Sequence, residues 1–150
     1  MNAFEELMAD FASKTGVEAE GPGADSIDLE ADGVLVSAQY RAELDDCVIF
    51  SLPLEDVIPN EPMLRRALEL AANGGGTCGH FLGLKEGMFM LSAVLPLKGL
   101  SAEEFGKRLL TLAAVSKKIA DTLVRASAED NSGSKDNLPP AQGENDFMRV

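Results

Sequence analysis

Apolar residues along this chain follow two periods, and the switches between them mark out its elements. Phe4, Leu7, Met8, Phe11 and Ala12 recur at helical spacing. They predict an amphipathic helix with Glu5, Glu6 and Asp10 on its other side and Gly16 as its stop. Residues 17–25 read as a loop. From Ser26 to Asp32 the period drops to two, with Ile27, Leu29 and Ala31 alternating with Asp28, Glu30 and Asp32. Asp32-Gly33 supplies a two-residue type I′ turn, because glycine accepts a positive φ without steric cost. That turn sets Ala31 opposite Val34, Leu29 opposite Val36, and Ile27 opposite Ala38. All three pairs are apolar, so pattern and turn agree. A third strand spans Cys47–Leu54, and Pro53 and Pro59 mark its end.

A second helix runs from Glu61 to Asn73, with Asn60 as its cap and Pro62 in its first turn. Its predicted stripe is Leu64, Ala67, Leu68 and Ala71. Asn73-Gly74 ends it and Gly74–Gly76 is a loop. A second hairpin pairs His80–Lys85 with Met88–Leu95 through Glu86-Gly87, setting Leu84 opposite Phe89 and Leu82 opposite Leu91. Ser101 and Glu104 have capping-box spacing, with Leu100 and Phe105 at the staple positions. Phe105, Leu109, Leu112, Ser116, Ile119 and Leu123 then repeat in steps of four and three, predicting a helix over Ala102–Ala126. The expected fold class is α+β, in the order α-β-β-β-α-β-β-α. It is a twisted, mainly antiparallel sheet with three helices, in one domain over residues 1–126. Residues 127–150 are polar with Gly and Pro and are expected to form a disordered tail.

The strands are not apolar on one face alone. Val34-Leu35, Val48-Ile49-Phe50 and Met88-Phe89-Met90-Leu91 are consecutive. A sheet covered by helices on one side should alternate. Three helices are few for two faces, so one face is expected to bind another chain. Met8, Met63, Met88 and Met90 add flexible, polarisable side chains suited to varied partners.

Charge narrows the function classes. The net charge is −12 over 150 residues. Residues 1–60 hold 14 acids and 2 bases, while residues 61–126 hold 6 acids and 9 bases. Such a balance argues against nucleic acid or an anionic membrane as a partner. The acidic N-terminus does not resemble a signal peptide, and no apolar run is long enough to span a bilayer. A soluble cytoplasmic protein is expected.

Candidate chemistry is sparse. Cys47 and Cys78 fit no metal spacing and read as small hydrophobes. His80 is the only histidine, so no multi-histidine metal site can form within one chain. A Cys78–His80 dyad lacks an evident oxyanion stabiliser. The Gly74–Thr77 run follows a helix and precedes a strand, the reverse of a phosphate loop. Asp28, Glu30 and Asp32 have calcium-loop spacing, but strand alternation reads them as a solvated face. No cofactor, metal or catalytic residue is expected.

The ordered set of motifs resembles the class I chaperones of bacterial type III secretion, the Tir-chaperone (CesT-like) family. The resemblance covers residues 2–126. It rests on the element order and on Met63-Leu64, Leu68 through Asn73, His80-Phe81-Leu82-Gly83-Leu84, Glu86-Gly87 and Met90-Leu91. Leu95-Pro96-Leu97, Gly99-Leu100-Ser101 and Phe105 through Leu112 complete it. It implies a non-enzymatic homodimer in the bacterial cytoplasm. Such a dimer binds the N-terminal region of a secreted effector in extended form and keeps it ready for export, with the secretion apparatus ATPase as a further partner. Carried onto this chain, it assigns effector binding to Phe4, Leu7, Met8, Phe11, Val36 and Phe50. It assigns the dimer interface to Leu64, Leu68, Met88 and Met90. The acidic first 60 residues are expected to favour basic effector segments. Two alternatives stand beside this reading: an adaptor domain of the same fold unrelated to secretion, and a small Cys/His hydrolase.

Overall fold

A computed structural model describes residues 2–18 and 24–132, without the side chains of residues 131 and 132. The elements are α1 (Ala3–Thr15), β1 (Ser26–Ala31), β2 (Val34–Arg41), β3 (Cys47–Pro53), α2 (Glu61–Ala71), β4 (Phe81–Lys85), β5 (Met88–Pro96) and α3 (Ala102–Ser132). Short 3-10 turns follow β2 (Ala42–Leu44) and α2 (Ala72–Gly74). The strands form one antiparallel sheet in the order β1-β2-β3-β5-β4. The fold class and element order are those expected from the sequence.

Turn chemistry sets the hairpin registers. Asp32 and Gly33 have φ of 50° and 77°, and Glu86 and Gly87 have 53° and 77°. Positive φ at both central residues is the type I′ pattern, whose twist matches that of the flanking strands. The observed pairs Ala31↔Val34, Leu29↔Val36, Ile27↔Ala38, Leu84↔Phe89 and Leu82↔Leu91 are the expected ones.

The core lies between the helices and one face of the sheet. Leu29, Val36, Leu52 and Leu91 form one buried row across four strands. Phe105 of α3 meets Phe11 of α1 and Phe50 of β3, each edge-to-face with centroids 5.0 Å apart. All six members of the α3 stripe, from Phe105 to Leu123, are buried. Ser116 is accommodated there because its hydroxyl donates to the Ala113 carbonyl at 2.7 Å.

Four details depart from the sequence reading. The N-terminus of α1 carries a full capping box beyond what the apolar pattern predicts. Asn2 Oδ1 accepts from the Glu5 N–H at 2.9 Å, and the Asn2 N–H donates to Glu5 Oε2 at 2.9 Å. In α3 only half of the expected box forms. Ser101 Oγ accepts from the Glu104 N–H at 3.1 Å, but the Glu104 carboxylate turns to Arg108 at 3.2 Å. Helix α2 stops at Ala71 and passes into the 3-10 turn, where Asn73 (φ 66°) and Gly74 (φ 69°) are left-handed. Helix α3 continues past Ala126 to Ser132. The residues after Ala126 are polar but helix-compatible, and the first strong breaker is Gly133. Ser127 Oγ also accepts from Asn60 Nδ2 at 2.8 Å, tying this end of α3 to the start of α2. The expected tail beyond Ser132 lies outside the described residues.

Candidate functional site

The six positions assigned to effector binding lie inside the protomer. Phe4, Leu7, Met8, Phe11, Val36 and Phe50 are each no more than 8% exposed. Phe4 stacks on Tyr40, with centroids 5.5 Å apart and ring planes within 8°. Phe11 and Phe50 sandwich Phe105. The physical reason is plain. The apolar stripe of an amphipathic helix is the part that packs, and these side chains complete the core. In the protomer these six side chains pack into the core, and their part in effector binding stays an expectation carried by the resemblance.

The four dimer positions are distributed differently. Leu68 is 75% exposed, Met88 is 37% exposed, and Leu64 and Met90 are half-buried. Of the predicted stripe Leu64, Ala67, Leu68 and Ala71, helix α2 buries Ala67 and half-buries Leu64, and it buries Met63 and Leu70 in addition, so it is rotated about its axis relative to the sequence reading. It packs against α3 and β4. Leu64 and Leu68 therefore belong to the helix-bearing side of the β4 edge. Met88 and Met90, paired with Lys85 and Gly83, stand on the opposite side of the same edge. The fold brings all four near one edge of the sheet but divides them between its two faces.

The second face of the sheet is where exposed apolar groups collect. Strand alternation directs Leu35, Ile49, Val94, Met90 and Phe81 away from the helices. Leu35 is 61% and Phe81 63% exposed. Ser37, Ser51 and Ser92 form a row of hydroxyls across its middle, with Ser51 and Ser92 Oγ atoms 3.5 Å apart. A shallow hollow of about 230 Å³ opens here, lined among others by Asp28, Leu35, Ser51, Lys85 and Met90. This uncovered apolar face is what the consecutive apolar residues in β2, β3 and β5 anticipated.

Electrostatics around the fold is a matter of surface groups. The Tyr40 hydroxyl donates to Asp46 Oδ1, and that hydrogen bond raises the Tyr40 pKa above its ordinary value, with smaller contributions from burial and nearby acids. The Glu43 pKa is lowered, first by a backbone hydrogen bond and then by Arg41. No cluster of three or more metal-ligating side chains occurs among the described residues. His80 Nδ1 donates to the Thr77 carbonyl at 2.9 Å, and the buried Thr77 hydroxyl donates to the His80 carbonyl at 2.7 Å. These bonds close the loop between α2 and β4. Cys78 sits exposed in that loop with φ 52°, and Cys47 is buried. No helix among the described residues is long and apolar enough to cross a membrane.

Comparison with known proteins matches this architecture. The model of the Tir chaperone protein (CesT) family matches residues 6–119. Among solved structures, the ExsC–ExsE complex gives a TM-score of 0.66 at 19% identity, covering 80% of this chain and 92% of that one. The ExoT–SpcS complex from Pseudomonas aeruginosa gives 0.60 at 16% identity, covering 79% and 98%. The HopA1–SchA chaperone–effector complex gives 0.61 at 17% identity, covering 79% and 94%. At these identities the structures establish a shared fold. No curated protein sequence matches significantly.

Proposed function

The chain belongs to the Tir chaperone protein (CesT) family, and from that membership we propose that it is a type III secretion chaperone. In this reading it binds the N-terminal region of a cognate effector in extended form and keeps it soluble and competent for export. It acts as a homodimer in the bacterial cytoplasm and catalyses nothing. The observation that carries the reading is the family match over residues 6–119, joined to a sheet face left uncovered by any helix among the described residues. An isolated soluble protomer gains nothing from displaying Leu35, Phe81 and Leu68 to water; a protein that covers another chain does. Contact of this kind requires apolar surface and free backbone groups, not a nucleophile or a metal. The dense acid of residues 1–60 keeps such a surface soluble.

The test is co-expression with secreted proteins encoded beside it, followed by co-purification and mapping of the protected client segment. A stable complex through the client's N-terminal region is expected. Failure of every neighbouring secreted protein to bind overturns the reading.

A further inference from the structure

The ladder between β2 and β3 stops short of the strands that form it. Its pairs run from Arg41↔Cys47 to Ser37↔Ser51, although β2 begins at Val34 and β3 continues to Pro53. Alternation explains the stop. The Tyr40 N–H donates to the Asp25 carbonyl on the β1 side at 2.7 Å, so Leu35, Ser37 and Gln39 direct their backbone groups toward β3. The Leu54 N–H donates to the Phe89 carbonyl of β5 at 2.9 Å, so Ser51 and Pro53 direct theirs toward β2. Pro53 thus comes next after Ser51 in facing β2, and proline has no N–H. The Leu35 carbonyl has no donor opposite it in β3.

A cleft of about 220 Å³ opens where the ladder ends. Val34, Leu35, Leu54 and Val57 supply apolar walls, and Ser116 and Lys117 of α3 close one side. Exposed Glu55 and Asp56 stand on its rim, and neither takes part in an ion pair among the described residues. The nearby cation, Lys117, is held by Asp32 at 2.8 Å. Leu35 and Pro53 also line the hollow on the uncovered face, so the cleft and that hollow share a wall.

We propose that this cleft is a client-recognition subsite for an extended segment that presents an apolar side chain next to a basic one. The proposal rests on the chaperone reading above. An extended chain has a free N–H to give to the Leu35 carbonyl, whereas a helix uses its own beyond the first turn. The apolar side chain enters between Leu35, Leu54 and Val57. The basic one meets Glu55 and Asp56, which supply the complementary charge. The acidic half of the chain thereby acquires a specific point of contact.

Two measurements test this on the full chain. The first is an NMR titration of the isotope-labelled protein with a capped pentapeptide of alternating arginine and leucine, and with its glutamate-for-arginine counterpart. The arginine peptide is expected to shift the amides of Leu35, Leu54 and Val57. The glutamate peptide, and the arginine peptide on a Glu55→Gln, Asp56→Asn variant, should each bind about fivefold more weakly, as the loss of two half-screened ion pairs implies. A Glu43→Gln, Asp45→Asn variant removes equal charge elsewhere and should bind as the parent does. Shifts confined to other regions, or equal loss in both double variants, overturn the proposal. The second measurement compares client retention by the parent and a Leu35→Asp variant. Equal retention overturns the subsite and leaves the chaperone reading standing. A parent that retains no client overturns that reading, while the peptide titration still decides what the cleft binds.

Discussion

Lys117 of α3 reaches the β1–β2 turn and binds Asp32 twice, its Nζ donating to the Asp32 carbonyl at 2.7 Å and to Oδ2 at 2.8 Å. The contact joins residues 85 positions apart at the one turn where β1 and β2 meet. The Lys117 side chain is half exposed and the Asp32 side chain about two-thirds, so the ion pair itself contributes modestly. Asp32 has a second duty, holding φ at 50°. Lys117→Ala is expected to cost no more than about 1 kcal/mol. Asp32→Ala should cost about 1–2 kcal/mol, because alanine strains in the left-handed region, and Asp32→Asn should cost less than Asp32→Ala. Chemical denaturation followed by circular dichroism checks the order. Equal losses for alanine and asparagine would remove the backbone argument.

Phe50 and Phe11 are expected to behave as core residues. Phe50→Ala removes a fully buried ring from contact with Phe105 and should lower stability by about 3–5 kcal/mol. Any loss of client binding should track that loss of fold. A Phe50→Ala protein of undiminished stability that releases its client would make Phe50 a direct contact.

Much of the fold was legible because local chemistry fixed it. Asp32-Gly33 and Glu86-Gly87 each determine a register through two positive φ values, so strand pairs followed from turns alone. The α3 stripe read correctly because a long helix packed against the sheet and the other two helices has one continuous buried face. Helix α2 did not, since Met63, Leu64, Ala67, Leu68 and Leu70 offer two overlapping stripes, and packing against α3 and β4 selects between them. The site was less legible for the same reason. Phe4 and Phe50 are apolar at helix and strand spacing, and so is Leu35; only the direction in which each side chain leaves its element separates core from surface. Pro53, which the pattern marks as the end of this strand, still pairs with Met90 of β5 and instead ends the pairing of β3 with β2.

Tyr40 offers a pH prediction that a single absorbance titration reads, since it is the only tyrosine in the chain. Its hydrogen bond to Asp46 favours the protonated phenol, so its midpoint should lie above the ordinary value of 10.0. The sign for stability follows. A pKa raised on folding gives stabilisation that is present below the ordinary value and lost as pH climbs through the raised one. Asp46→Asn should move the midpoint back toward the ordinary value. A parent midpoint at or below 10.0 contradicts the geometry.

Leu68 gives the sharpest test of assembly. It is 75% exposed on α2, beside half-buried Leu64, at the β4 edge of the sheet, and the neighbouring buried positions Met63, Ala67 and Leu70 hold the helix in place without it. Leu68→Glu should therefore leave protomer stability within about 0.5 kcal/mol, as surface substitutions do. If this edge is the dimer contact, two glutamates brought together at an apolar seam should weaken association strongly, and sedimentation at micromolar concentration should shift from dimer to monomer. Leu110→Glu, an equally apolar exposed position on α3, serves as the control and should leave the dimer intact. A dimer that survives Leu68→Glu but not Leu110→Glu would move the interface from the β4 edge to the outer surface of α3.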